Sequence, residues 1–181
     1  VRCAALRLML QSAGSKSNAT KIVLSALKDG CIEYRNTALD FARQYAGDAI
    51  INSVADKFNG LSDKAKVDVV RWLGNNHATG QIELVDKAMA SNNTDLAEAA
   101  IKSAGQIGGK KALETLVNQL GGSNADAAKA SLLAFNGKIN DNIVSALSSN
   151  NATIQAQALK IAGIRHIHSA YSKVLNLLNA N

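Results

Sequence analysis

A hydrophobic pattern returns every 31 residues along this chain: Leu39, Val70, Ile101 and Leu132 form one row, and Ala42, Leu73, Ala104 and Phe135 a second. Three further rows keep step, Ile51, Ile82 and Leu113; Val54, Val85 and Leu116; and Phe58, Met89 and Leu120. A fixed period of this size marks a stack of supersecondary units, each leaving an apolar face that only its neighbours can cover. Within a unit the apolar steps are three and four residues, as in Leu96, Ala97, Ala100, Ile101 and Ala104, so the units are helical. No alternating run suggests a strand.

The scheme lays out six helix pairs, at about 1–30, 31–60, 61–91, 92–122, 123–149 and 150–181. Gly14, Gly74, Gly105 and Gly163 are expected at the inter-helix turns, with Arg43 and Asn136 in that place in the other two units. The run Gly105-Gln-Ile-Gly-Gly109 is read as a break and a tight reversal. Asn93 or Thr94 can cap the first helix of the fourth unit, and Asn124 that of the fifth. The fifth unit is four residues short between Phe135 and Val144. That loss of about one helical turn preserves the direction of the apolar face. Proline is absent, so Asn, Ser and Gly supply the breaks.

The expected fold is therefore an all-α, right-handed α-α superhelix of six helix pairs forming one domain, with second helices lining a shallow concave side. No apolar run approaches the ~18 residues a membrane span needs, so no insertion is expected. The first residue is Val1, and the chain closes on Val174, Leu175, Leu177 and Leu178 without a polar terminal repeat. Solenoids need polar caps, so we expect a piece of a longer protein. Cys3 and Cys31 fall near the starts of successive units. Stacked helices lie ~8–10 Å apart, too far for a disulfide, and two part-buried thiols are expected.

At Leu96-Ala-Glu-Ala-Ala-Ile-Lys-Ser-Ala-Gly105-Gln-Ile-Gly-Gly-Lys-Lys-Ala-Leu113 the chain resembles a short HEAT-like repeat, of the kind found in bilin lyases and many bacterial scaffold domains. The third unit, ending Val69-Val-Arg-Trp-Leu-Gly74, is similar. Family copies commonly open on Asp-Pro and carry an Arg about two helical turns before the junction glycine. Arg35 and Lys66 keep that basic position, whereas Ala97, Ala128 and Gln155 do not. Tetratricopeptide and ankyrin units fit less well, lacking here their bulky aromatics with a late Pro and their Thr-Pro-Leu-His turn. Leu61-Ser-Asp-Lys-Ala-Lys-Val67, followed by Leu73-Gly74, also resembles HEAT-like domains of bacterial envelope proteins. That resemblance implies a non-catalytic module of a secreted or periplasmic protein.

The residues give little chemistry. His166 and His168 form a His-x-His pair and His77 occupies the matching turn of the third unit, but zinc needs three or four convergent ligands. Solvated or half-packed histidines are expected, and no metal or cofactor. One HEAT-like class of DNA glycosylases works with aromatics and an acid on a concave face. Trp72 and Asp68 alone make no such constellation. Trp72 is expected to be partly packed, with Asp68 on the solvated side. Asn18-Ala-Thr20, Asn92-Asn-Thr94 and Asn151-Ala-Thr153 match the glycosylation pattern by chance in an Asn-rich chain.

What remains is surface. Asn52, Asp56, Glu83, Lys87, Glu114 and Asn118 recur at matched positions on the second helices, and Arg71, Lys102 and Lys160 share a position on the first helices. These nine are the candidate partner-binding residues of a non-enzymatic scaffolding module, bound to another protein or another domain of the same chain. The alternative is nucleic acid. The net charge is +6, and all acids lie between Asp29 and Asp141, leaving two basic ends. That reading predicts affinity falling steeply with salt.

Overall fold

In the computed structural model, which describes residues 1–179, the apolar rows become the buried seams between helices. Those residues form twelve α-helices and no strands: α1 (Arg2–Gln11), α2 (Lys16–Ala26), α3 (Ile32–Ala46), α4 (Ile50–Lys57), α5 (Asp63–Asn75), α6 (Ile82–Met89), α7 (Thr94–Ile107), α8 (Gly109–Gln119), α9 (Ala125–Leu133), α10 (Asn140–Ala146), α11 (Ala152–Ile164) and α12 (Tyr171–Asn179). The last two residues of the sixth unit lie outside the described residues. Leu39, Val70, Ile101 and Leu132 each keep no more than 2% of their surface. Burying a side chain of that size contributes ~1.5–3 kcal/mol, so each row is a main source of stability for its seam. Ile51 and Ile82 are only half-buried, while Leu113 in the same row is covered.

The odd-numbered helices touch in chain order, α1 against α3, then α5, α7, α9 and α11. Among the even-numbered helices α2 meets α4, and α8 meets both α6 and α10. The two sets are tied together because α2 leans on α3, α6 on α7, α8 on α9 and α10 on α11. Ser15, Ser62, Asn93 and Asn151 accept from backbone N–H groups of the turns they start. Each such cap is worth ~1 kcal/mol. Asn124 stands at the start of α9 without making a side-chain cap, contrary to expectation.

The glycines at the 31-residue spacing are not turns. Gly74 lies inside α5, Gly105 inside α7 and Gly163 inside α11. For the first two the use is to have no Cβ: one built on Gly74 would come within 2.8 Å of the Ser103 Cα, and one on Gly105 within 3.3 Å of the Ser131 Cβ, whereas one on Gly163 would meet nothing within 4 Å. Gly74 and Gly105 are the crossing points of α5 on α7 and of α7 on α9. The reversals fall about one helical turn later, at Gly47 (φ 76°), His77 (φ 49°), Gly108 (φ 73°) and His166 (φ 51°). His77 and His166 occupy the left-handed region that a non-glycine residue enters at a cost, His more readily than most. Their turns are copies of one another. Ala78 N–H reaches the Leu73 carbonyl, and Ile167 N–H reaches that of Ala162, in the closure typical of a helix C-terminus.

One ion pair is dry. Arg35 and Asp68 are 1% and 4% exposed, and both Nε and NH2 of Arg35 sit 2.7 Å from one Asp68 oxygen. Arg35 NH1 donates to the Asp29 carbonyl at 2.8 Å, so a single guanidinium joins the loop before α3 to α5. Asp68 is thus buried rather than solvated, and Trp72, 6% exposed, is core. A charged partner 33 residues away made the difference. Lys66, in the same repeat position as Arg35, instead reaches Asp63 at 3.6 Å on its own exposed helix face. Both cysteines are free and half-buried. No helix among the described residues is long and apolar enough to cross a membrane.

Candidate binding groove across three first helices

α7 carries a polar stripe at three- and four-residue steps, Asp95, Glu98, Lys102 and Gln106, facing away from the core. A groove of about 870 Å³ lies over this stripe. Arg71 and His77, from α5 and its turn, form one wall, and Ala127, Ala130, Ser131, Ala134 and Asn136, from α9 and beyond, form the other. Ala99, Gly105 and the Gly108–Gly109 turn also line it, so much of its surface is small and apolar. A second recess of about 420 Å³ opens over α3, α5 and the start of α7, and Arg71 and Asp95 line both.

The shape follows from helix length. α5 and α7 run 13 and 14 residues, but α9 stops after nine. The four residues missing from the fifth unit are those with which a full first helix would have flanked the last turn of α7. Three of the other four seams, all but that between the first and second units, are closed at this end by a polar clamp among the described residues. Arg43 NH1 donates to Asn76 Oδ1 at 3.0 Å, holding the second unit to the third. Gln106 Nε2 donates to Asn75 Oδ1 at 3.0 Å, and His77 Nδ1–H to the Gln106 carbonyl at 2.6 Å, holding the third to the fourth. Arg165 NH1 donates to the carbonyls of Leu132 and Phe135 at 3.0 and 3.1 Å, capping α9 and holding the fifth unit to the sixth. Between the fourth and fifth units the described residues form no such clamp, and there the groove is open.

The charges on the groove are uncommitted. Among the described residues, Arg71, Asp95, Glu98 and Lys102 have no ion pair within 4 Å, whereas ion pairs form elsewhere on the surface. Arg71 and Lys102 are therefore brought together as the matched spacing implied. Lys160 is not on this groove. Its charge acts on Asp126, whose carboxyl is held below the usual range first by the hydrogen bond from Lys129 and more weakly by Lys160.

The six second-helix candidates are all exposed, and none lines the groove. Several are engaged with each other's units: Asn52 accepts from Gln81 at 2.8 Å, and Glu83 accepts from Lys111 at 2.7 Å. Lys111 holds the Glu83 carboxyl below its ordinary range. Glu114 lies 3.8 Å from Lys110. The groove thus opens on the face of the first helices, although the second helices were expected to line the concave side.

Of the basic ends, Arg2 is paired with Asp29 and stacked on Tyr34, and Arg7 lies over the Phe41 ring. His166 and His168 are exposed, and no cluster of three or more metal-ligating side chains occurs among the described residues. Two of the three Asn-x-Thr asparagines already serve the backbone, Asn18 toward Ala13 and Asn151 as a cap. The missed residues, Ala127, Ala130, Ser131, Ala134 and Asn136, come from the one unit that breaks the repeat. Only its short length signalled them. Comparison with known protein families yields no match, and comparison with curated proteins yields none either.

Proposed function

We propose that this chain is a HEAT-like right-handed α-α superhelix acting as a non-enzymatic protein-interaction module, with the groove over α7 as its docking surface. The architecture is supported by first helices whose main contacts follow chain order and by the matched Gly74 and Gly105 crossings. The Arg35–Asp68 pair adds support, since it joins an Arg at the family's basic position to the next unit. The groove carries the functional reading: three units build it, much of its lining is small and apolar, and its charged side chains have no ion pair within 4 Å among the described residues. Concavities of this kind, apolar with a few placed polar groups, are where binding concentrates. Nucleic acid is the second reading, on the +6 charge. It is weakened because Arg2 and Arg7 are already in contact with Asp29, Tyr34 and Phe41.

The test is a photoreactive residue placed at exposed Ala130 in the groove, with exposed Lys57 as control, in cells that make the protein. A polypeptide adduct at Ala130 and none at Lys57 is expected. Equal labelling at both positions, or adducts to nucleic acid, would overturn the reading.

A further inference from the structure

Resting on that reading, we infer that the occupant of the groove is an extended polypeptide segment with an acidic side chain toward one end and a basic one toward the other. The first argument is charge. Along α7 the stripe runs from Asp95 and Glu98, near its start, to Lys102, with Arg71 alongside from α5. These four charges sum to zero but are not paired with each other within ion-pair distance. An occupant that satisfies both signs must therefore carry both signs. Such complementarity sets specificity and register more than raw affinity.

The second argument is backbone chemistry. A docked helix satisfies its own N–H and C=O groups and presents an apolar stripe, which here would be laid over Glu98 and Lys102. An extended chain has free N–H and C=O groups that must find partners. The groove wall supplies Ser131 and Asn136, neither of which makes a side-chain hydrogen bond within the described residues. The alanines and Gly105 let a backbone approach closely. α7 spans ~20 Å at 1.5 Å per residue, which an extended segment of about six residues would match.

The probes are fluorescein-labelled, end-blocked six-residue peptides, read by fluorescence anisotropy at low ionic strength. One carries Glu and Lys at its two ends, one is all neutral, and one carries only Lys charges. The mixed-charge peptide should bind at least about tenfold more tightly than the neutral one. The double variant Arg71→Glu/Lys102→Glu should lose the mixed peptide by about tenfold or more and gain the Lys-only peptide. The variant Lys28→Glu/Lys57→Glu, at exposed positions in the first two units that line no part of the groove, should bind as the parent does. Equal affinity for mixed and neutral peptides overturns the inference, as does a double variant that binds the mixed peptide unchanged. A photo-adduct at Ala130 alongside either result would leave the interaction reading standing and sink only the choice of occupant.

Discussion

The two sides of α7 are built from the same repeat and end up differently closed. Toward α5, Gly74 lets the helices cross so closely that Ser103 backbone fills the space, and Asn75, His77 and Gln106 tie the ends together. Toward α9 the approach at Gly105 is looser, 3.3 Å to the Ser131 Cβ and 3.6 Å to its carbonyl oxygen, no polar clamp forms among the described residues, and a groove lies open. Closeness at a crossing and closure at its end are thus separate properties. The first is set by one missing Cβ, the second by whether the neighbouring helix is long enough to reach.

The heaviest blow falls one seam further from the groove, between α3 and α5, with Asp68→Ala, which strands the Arg35 guanidinium. Removing one partner of a buried pair costs ~3–5 kcal/mol, to be read from urea unfolding. Replacing both by apolar residues, as in Arg35→Met/Asp68→Leu, should cost much less. The glycines test the comparison itself. Gly74→Ala forces backbone atoms apart, and overpacking of ~1–3 kcal/mol outweighs the helix-propensity gain of ~1 kcal/mol. Gly105→Ala asks α9 to give by only a few tenths of an ångström at Ser131, a cost the helix-propensity gain of ~1 kcal/mol can offset, so its stability should stay within about 1 kcal/mol of the parent. Equal losses at both sites would show that the two crossings are not different in kind.

A smaller effect is expected at Ser103, whose hydroxyl is buried without a partner at the Gly74 crossing. Ser103→Ala should stabilise the protein by up to about 1 kcal/mol, because an unsatisfied polar group is removed. The paired turns come next. His166→Gly relieves a positive φ and should raise stability by about 0.5 kcal/mol in thermal unfolding. His77→Gly should gain nothing, since the relief is cancelled by loss of the bond to Gln106. The least is expected from acid. Glu83 is held below its ordinary value of 4.5 by the Lys111 hydrogen bond. Its contribution is present above that value and lost as pH falls through the folded one. Lys111→Ala should therefore flatten, slightly, the decline in stability between about pH 5 and 3.

Much of this was legible in the residues. The rows through Val70, Ile101 and Val54 fixed which faces are buried, because helical spacing of apolar residues leaves little choice. Gly14 does stand in the turn between α1 and α2, at φ 70°, but Gly74, Gly105 and Gly163 were misread because spacing shows where a Cβ is missing but not why. A glycine that permits a turn and one that permits a crossing look alike, and the real turns at His77 and His166 carry no glycine. Asp68 was misplaced because its partner sits in another unit. Register placed Arg71 and Lys102 on adjoining first helices, where they line one groove. The far wall was not, since Ala130, Ala134 and Asn136 belong to the unit where register fails.

The short α9 has one further consequence. A helix that loses close to a whole turn keeps its phase, so the sixth unit docks through Arg165 as though nothing had been removed. Length and phase are then independent variables in such a chain. Trimming any other first helix by one turn should carve a new recess beside it and leave the rest of the stack in place. The number and position of binding recesses could in this way be altered by small deletions alone, without exchanging a single buried side chain.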